Sequence, residues 1–339
     1  MKIRHITATL AILVFASCAR QSTTGLNDDA SLFFESWISK NYPAAVRTTL
    51  GSYVIDETKG TGAAVGDSLF VRINYNKYGL DGELIASTSE AVARQNGNYT
   101  KTGYYGPIIG YRGEEFDSMA AGLEEVISGM NKGGKIKVAI PGWLSESVRY
   151  SDPDDYIRNC SGTDSIYELE LVDAFQDIEQ WEKDSLARFI QANYPSAVED
   201  EIGGFYYVSL DPGNQSGKFP SDTTIYINYI GRRLDGTVFD TSVADTAKVW
   251  KLSSGTYSPR QINWFDEDNE EDYSSITMGE SGNASDVIKG FSYALSKMHP
   301  FEKGICFFYS AYGYSYSGSG SAIPSYCPLS FEIEMTTKE

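Results

Sequence analysis

Histidine is nearly absent from this chain, and that limits its chemistry before any motif is considered. The 339 residues hold two, His5 and His299. A single histidine in the body of the chain cannot build a multi-histidine metal site, and His299 is followed by Pro300, as a turn residue would be. No Gly-x-Ser-x-Gly elbow is present for it to serve, and no glycine-rich phosphate loop occurs. Hydrolase and metalloenzyme readings therefore lack their residues. Of the cysteines, Cys160, Cys306 and Cys327 have no metal-ligand spacing. Cys306 lies in an apolar run and Cys327 just before the last strand, so they either pair or act as small buried hydrophobes. The run Asp266-Glu267-Asp268-Asn269-Glu270-Glu271-Asp272 offers carboxylates to calcium. Glu271 stands where an EF-hand turn needs glycine, however, and a solvated acidic loop is the better reading. Neither a metal nor a cofactor is implied.

The chain opens as an address. Lys2 and Arg4 precede an apolar stretch, Ile6 to Phe15, too short to span a bilayer as a mature helix. Phe15-Ala16-Ser17-Cys18 then resembles the processing site of bacterial lipoproteins. The resemblance implies cleavage after residue 17, acylation of Cys18 and a membrane anchor firm enough to last when two or three chains are attached. The other reading is an ordinary secretory signal with a chance cysteine. A net charge of −18 argues against nucleic acid as a partner, because no basic surface is available to neutralise phosphates. Aromatic content of 13%, with 24 tyrosines, favours strands over helices.

Two copies of one unit run along the mature chain. Asn41-Tyr42-Pro43-Ala44-Ala45-Val46 recurs as Asn193-Tyr194-Pro195-Ser196-Ala197-Val198. Ile73-Asn74-Tyr75 recurs as Ile227-Asn228-Tyr229, and Leu80-Asp81-Gly82 as Leu234-Asp235-Gly236, in the same order and nearly the same register. Each copy opens with an amphipathic helix. Leu32, Phe33, Trp37 and Ile38 form the apolar stripe of the first; Trp181, Leu186, Phe189 and Ile190 form that of the second. Pro43 and Pro195 stop them. Strands are expected over Leu69–Tyr75, Thr224–Tyr229, Lys135–Ile140, Ile166–Val172, Gly304–Tyr309 and Leu329–Met335. Short helices are expected over Gly122–Met130 and Gly290–Met298. The expected class is α+β.

In the second copy five motifs in order resemble the FKBP-type peptidyl-prolyl isomerases, over residues 202–336. They are Asn228-Tyr229-Ile230-Gly231; Leu234-Asp235-Gly236-Thr237-Val238-Phe239-Asp240-Thr241-Ser242; Val287-Ile288-Lys289-Gly290-Phe291; Ala311-Tyr312-Gly313; and Ile323-Pro324 followed by Leu329 to Met335. The resemblance implies tandem FKBP-like units, each a curved antiparallel sheet wrapped on a short helix and preceded by an amphipathic helix. It also implies isomerisation of Xaa-Pro bonds, which requires no nucleophile. The barrier of ~18–20 kcal/mol comes from partial double-bond character in the C–N bond. An apolar cradle that desolvates the amide and favours its twisted form lowers that barrier. By family position Tyr229, Asp240 and Tyr312 are the catalytic candidates, Tyr312 offering its hydroxyl to a substrate carbonyl and Asp240 sitting at the rim. Phe239, Val287, Ile288, Phe291, Ile323 and Phe331 are the substrate-binding candidates. Plain core packing is the competing reading of each.

Two departures from the family pattern stand out. Phe291 takes the place of the usual pocket-floor tryptophan, and an insertion, 253–285, lies beside the expected pocket, where it could gate access. The first copy has Ile85-Ala86 where the second has Phe239-Asp240, Leu123 where it has Phe291, and Trp143-Leu144-Ser145 in place of Ala-Tyr-Gly. The expected organisation is a signal peptide at 1–17, a tether at 18–27, a degenerate unit at 28–175 and an isomerase unit at 176–339. The expected role is a lipid-anchored, periplasm-facing isomerase that helps proline-containing envelope proteins to fold. The alternative is a non-catalytic, chaperone-like binding lipoprotein on the same scaffold.

Overall fold

The computed structural model describes residues 26–113, 119–214, 224–252, 255, 257–263, 273, 276–280 and 282–336. The leader, Cys18 and the acidic run Asp266–Asp272 lie outside these residues. Among the described residues no helix is long and apolar enough to cross a membrane.

Two long helices, α1 (Leu26–Asn41) and α5 (Ile178–Asn193), open the two halves. Each ends two residues before its proline, because the proline ring drives the preceding residue out of the helical region. Tyr194 is at φ −137°. The buried face of α1 is set by Phe34 and Ile38, whereas Leu32 and Phe33 are exposed. The run Leu32-Phe33-Phe34 is apolar on every side, so its stripe could be drawn in more than one register. In α5 Leu186 and Ile190 are buried as expected, with Glu182 on the same face.

The first half holds β1 (Val46–Arg47), β2 (Tyr53–Thr58), β3 (Phe70–Tyr78), β4 (Leu84–Ser87), β5 (Ile108–Tyr111), β6 (Lys135–Ile140) and β7 (Ser165–Phe175). The second holds β8 (Phe205–Asp211), β9 (Thr224–Arg233), β10 (Val238–Thr241), β11 (Arg260–Asn263), β12 (Thr277–Met278), β13 (Ser285–Asp286), β14 (Lys303–Phe308) and β15 (Leu329–Thr336). The antiparallel order β2-β6-β7-β3 in one sheet is repeated as β8-β14-β15-β9 in the other. Both sheets have one long strand whose free edge is divided: β4 and β5 share β3, and β10 and β11 share β9.

The expectation of a curved sheet wrapped on a short helix is overturned. The class is a mixed α and β arrangement with seven α-helices and two sheets among the described residues, and neither sheet is curled or closed. The paths run from β1 to β4 and from β13 to β8, and their end strands do not pair with each other. A curled sheet needs continuous strands to carry its twist around. Past β3 and β9 the sheet continues only as short strands, 4 residues each in β4, β5, β10 and β11 and 2 residues each in β12 and β13. The described part of the 253–285 insertion supplies β11, β12 and the start of β13, which extend the second sheet at its edge.

The short helices α3 (Ala121–Ser128) and α7 (Lys289–Lys297) stand where the sequence puts them. Three brief helices, α2 (Glu90–Gln95), α4 (Pro153–Arg158) and α6 (Ala244–Trp250), have no counterpart in the expectations. Each half has its own apolar core. One gathers Phe34, Val71, Ile127, Val138, Leu144 and Leu171; the other gathers Leu186, Phe205, Ile227, Phe307, Phe308 and Leu329. Cys306 and Cys327 are free thiols, as is Cys160.

Candidate functional site

Tyr229 and Asp240 face each other across the β9–β10 hairpin. Its turn is built by Leu234-Asp235-Gly236: Gly236 takes φ +84°, a conformation that suits glycine, and the Asp235 carboxylate accepts the Thr237 N–H at 2.9 Å. The ladder then slips. Val238 pairs with Arg232 but Asp240 with Gly231, so Phe239 is the extra residue of a bulge. The bulge brings the Phe239 ring over Gly231, where a Cβ would come within 2.8 Å of both Phe239 and Phe331. A larger residue there would have to push both rings aside.

The Tyr229 hydroxyl donates to Asp240 Oδ2 at 2.8 Å, and Asp240 Oδ1 accepts the Thr241 N–H at 2.8 Å. Tyr229 is buried and Asp240 exposed, so the pair carries charge at the surface and a phenol beneath it. Burial holds the phenol well above its ordinary value; the Asp240 charge and hydrogen bond add to this, and Arg260 opposes it. The next two residues clamp the tyrosine's backbone. Its N–H donates to Ser242 Oγ at 2.9 Å, and its carbonyl accepts from Thr241 Oγ1 at 2.7 Å and from the Ser242 N–H at 3.1 Å.

Below the pair lies an aromatic floor. Phe291, on α7, meets Tyr229 at 5.7 Å and 81° and Phe331, on β15, at 5.1 Å and 79°. Phe239 meets Phe331 edge-on at 5.6 Å. Such edge-to-face contacts set each ring's positive rim against a neighbour's negative face. Phe291, Phe331 and Ile323 are buried, while Phe239, Val287 and Ile288 are half-buried. All of these residues, with Tyr312, belong to the second core cluster or pack against it.

Tyr312 stands apart from the polar pair. Its hydroxyl, expected to face a substrate carbonyl, donates to the Ile202 carbonyl at 2.8 Å. Its ring lies edge-on to Tyr309 at 4.9 Å and under the Lys289 ammonium at 4.9 Å. Burial, reinforced by Tyr309, pushes its phenol up to about 12.

The structure adds residues that the motifs did not indicate. Tyr314 is close enough to feel the Asp240 charge, and Arg260 acts on Tyr229. Tyr314 lies one residue beyond Ala-Tyr-Gly and was within reach of the motif; Arg260 sits in the insertion and was not. Glu182 on α5 accepts the Ser310 N–H at 3.0 Å and its hydroxyl at 2.7 Å, holding the 3-10 turn Ser310–Tyr312. Its spacing to Leu186 and Ile190 marks the buried stripe. Burial pushes this carboxyl up to about 7, against the lowering effect of Ser310.

The same positions in the first half lack the polar pair. Tyr75 is clamped by Thr88 as Tyr229 is by Ser242, its N–H donating to Oγ1 at 2.9 Å. The strand beside it carries exposed Ile85 and then Ala86. Leu144 closes a 3-10 turn, Gly142–Leu144, directly after β6, as Tyr312 closes one after β14. The half does hold a cavity of about 600 Å³, but it is a polar one lined by Asn74, Asn76, Lys137 and Glu168. Lys137 pairs there with Glu168 at 3.1 Å. A groove of paired charges does not desolvate an amide.

No protein-family model and no curated protein matches the chain. Among solved structures it has weak, partial similarity to FKBP-like isomerase chains. The three FKBP domains of wheat FKBP73 are 14% identical, over 86% of this chain and 98% of that one, with a TM-score of 0.28. A peptidyl-prolyl cis-trans isomerase from Pseudomonas syringae pv. tomato is 24% identical, over 47% and 96%, with a TM-score of 0.30. FkpA from Escherichia coli is 22% identical, over 47% and 58%, with a TM-score of 0.31. Likeness at this level is distant and assigns no activity to any residue.

Proposed function

We propose that the second half is a peptidyl-prolyl isomerase acting on Xaa-Pro bonds of polypeptides in the cell envelope. The observation that carries the reading is the Tyr229–Asp240 hydrogen bond at the exposed edge of an aromatic floor. A prolyl ring against Phe239, Val287 and Ile288 would leave water on one face. Loss of water weakens the hydrogen bonds that stabilise the planar amide, and the Asp240 carboxylate at the rim favours the twisted form electrostatically. No bond is made or broken, so the absence of a nucleophile among these residues is no obstacle. The Tyr312 hydroxyl takes part only by exchanging the Ile202 carbonyl for a substrate's. Acylation of Cys18 would hold the cleft at a membrane, facing the periplasm. Replacement of Cys18 by serine should leave an unprocessed precursor without fatty acid.

A non-catalytic binding module is the second reading, favoured by the engaged Tyr312 hydroxyl and the depth to which Phe291 and Phe331 are buried. The full chain, assayed with Xaa-Pro peptides carrying several residues before the proline, separates the two. Faster isomerisation that is lost in Asp240→Ala supports the enzyme. Peptide binding without any acceleration supports the module.

A further inference from the structure

The first half meets the second at several places, through Phe70 on Tyr326 and through Phe175 and Arg72 on Trp181. One short segment, however, touches both the helix that follows Asp240 and the loop that leads to Ile323, the two flanks of the candidate cleft. On one flank the Lys101 ammonium donates to the Val249 carbonyl at 2.7 Å and lies 4.8 Å from the centre of the Trp250 ring, at the end of α6. This helix follows directly from the strand that carries Phe239 and Asp240. On the other flank the Tyr104 N–H donates to the Ser321 carbonyl at 2.9 Å, two residues before Ile323. Arg233, 4% exposed at the end of β9, joins the two. Its guanidinium donates to the Thr102 carbonyl at 2.9 Å and to Gly103 at 3.1 Å, and also to the Ala322 carbonyl. Asp235 fixes its Nε at 3.2 Å, and its plane lies 5.3 Å from the Tyr104 ring.

Regular structure holds little of either flank, although in the second the Tyr326 N–H donates to the Ser315 carbonyl at 2.8 Å and the Tyr326 ring lies edge-on to Phe70 at 5.7 Å. Residues 314–327 form a long connection whose described order is one short 3-10 turn and an isolated bridge between Ser319 and Ile323. The helix α6 has 7 residues, too few to be stable by itself. The backbone from Lys101 to Tyr104 can span at most about 11 Å. Contacts at both ends of that segment, one of them through the Lys101 side chain, therefore limit how far Val249 and Ser321 can move apart.

We propose that Lys101–Tyr104 of the first half is a positioning element of the second half's cleft, clamped there by Arg233. The inference rests on reading that cleft as the peptide site. It gives the first half, which has no polar pair of its own, a part in the function: it sets the width of its neighbour's cleft and hence the affinity for the polypeptide around the proline.

Amide hydrogen exchange of the full-length protein tests the clamp without reference to activity. Lys101→Ala should speed exchange at residues 244–252, and Arg233→Met at 319–324 as well, with the β9–β15 ladder still protected. Peptide kinetics then read the consequence: KM should rise about fivefold or more with kcat nearly unchanged, a coupling of ordinary size. A merely structural role would reduce the amount of active protein and leave KM alone. If Arg233→Met does not fold, Lys101→Ala, altered at an exposed side chain, decides the matter at α6. Unchanged exchange at 244–252 in Lys101→Ala, or a fall in kcat at constant KM, overturns the proposal. Faster exchange in a protein that accelerates no Xaa-Pro peptide would keep the clamp and remove the isomerase reading.

Discussion

Truncating Asp240 and Tyr229 separately and together tests whether the polar pair is a unit. Tyr229 is 6% exposed and its hydroxyl has Asp240 as acceptor. Asp240→Ala therefore strands a buried donor, at ~1–3 kcal/mol. Asp240 is itself exposed, so water can enter the space it leaves and the lower part of that range is expected, ~1–2 kcal/mol. Tyr229→Phe removes the donor and returns the carboxylate to water, at ~0.5–1 kcal/mol. Once the hydroxyl is gone nothing remains to be stranded, so the double variant should be no less stable than Asp240→Ala alone. The coupling is then ~1 kcal/mol. Urea unfolding of the full chain, with m held common to the variants, measures all three. Losses of this size leave a domain of ordinary stability almost wholly folded at room temperature. A drop in isomerisation by Asp240→Ala would therefore be local to the cleft. Additive losses in the double variant would refute the reasoning, because they would mean that the hydroxyl does not depend on the carboxylate.

Glu182 should make stability fall as pH rises. Its ordinary value near 4.5 is pushed up to about 7 in the fold. The folded state thus binds a proton that the unfolded state releases, and the advantage, full below 4.5, is lost as pH climbs through 7. This is worth ~3 kcal/mol. Relative to the parent, Glu182→Gln should gain stability between pH 5 and pH 8, and a constant difference across that range would count against the burial argument. Gly231→Ala should destabilise by ~1–3 kcal/mol, because its Cβ would press on Phe239 and Phe331; thermal melts that match the parent would deny the close approach. Cys306 is buried while Cys160 and Cys327 are half-buried; burial pushes Cys306 and Cys327 up to about 12 and raises Cys160 as well. Maleimide should label Cys160 faster than Cys306 in the native protein, and equal rates would contradict the place of Cys306 in the core.

Much of the scaffold was legible because its signals are local. Pro43 and Pro195 stop α1 and α5, and the alternation from Lys135 to Ile140 defines β6 to the residue. The aromatic floor was legible through motifs, since Phe239, Phe291 and Phe331 each sit at a fixed step from a glycine, an aspartate or a strand end. What escaped depends on partners far along the chain. Tyr312 gives its hydroxyl to Ile202, a residue 110 positions away, and Arg233 binds carbonyls on a loop 130 positions away. Side-chain type reveals neither. The curl of the sheet was misjudged for a related reason. It depends on how strands continue past β3 and β9, and the short segments there carry too little periodicity to show it. The face of α1 failed through excess of signal: with Leu32, Phe33 and Phe34 adjacent, only packing selects Phe34.

The junction of the halves has a consequence for the order in which the molecule takes shape. Phe175 ends β7, and Asp177 caps α5, accepting the Gln180 N–H at 3.0 Å. Phe175 stacks on Phe70 at 6.0 Å and on Trp181 at 4.9 Å, and the Arg72 guanidinium lies 5.1 Å from the centre of the Trp181 ring. Every member of that stack precedes β8 in the chain. As the polypeptide emerges from its N-terminus, α5 can dock on the finished first sheet while the second is still unmade. The docked helix then presents Glu182, Leu186 and Ile190 along one face as a ready template for the rest of the second half. The later half is thus assembled on a surface that the earlier half has already aligned.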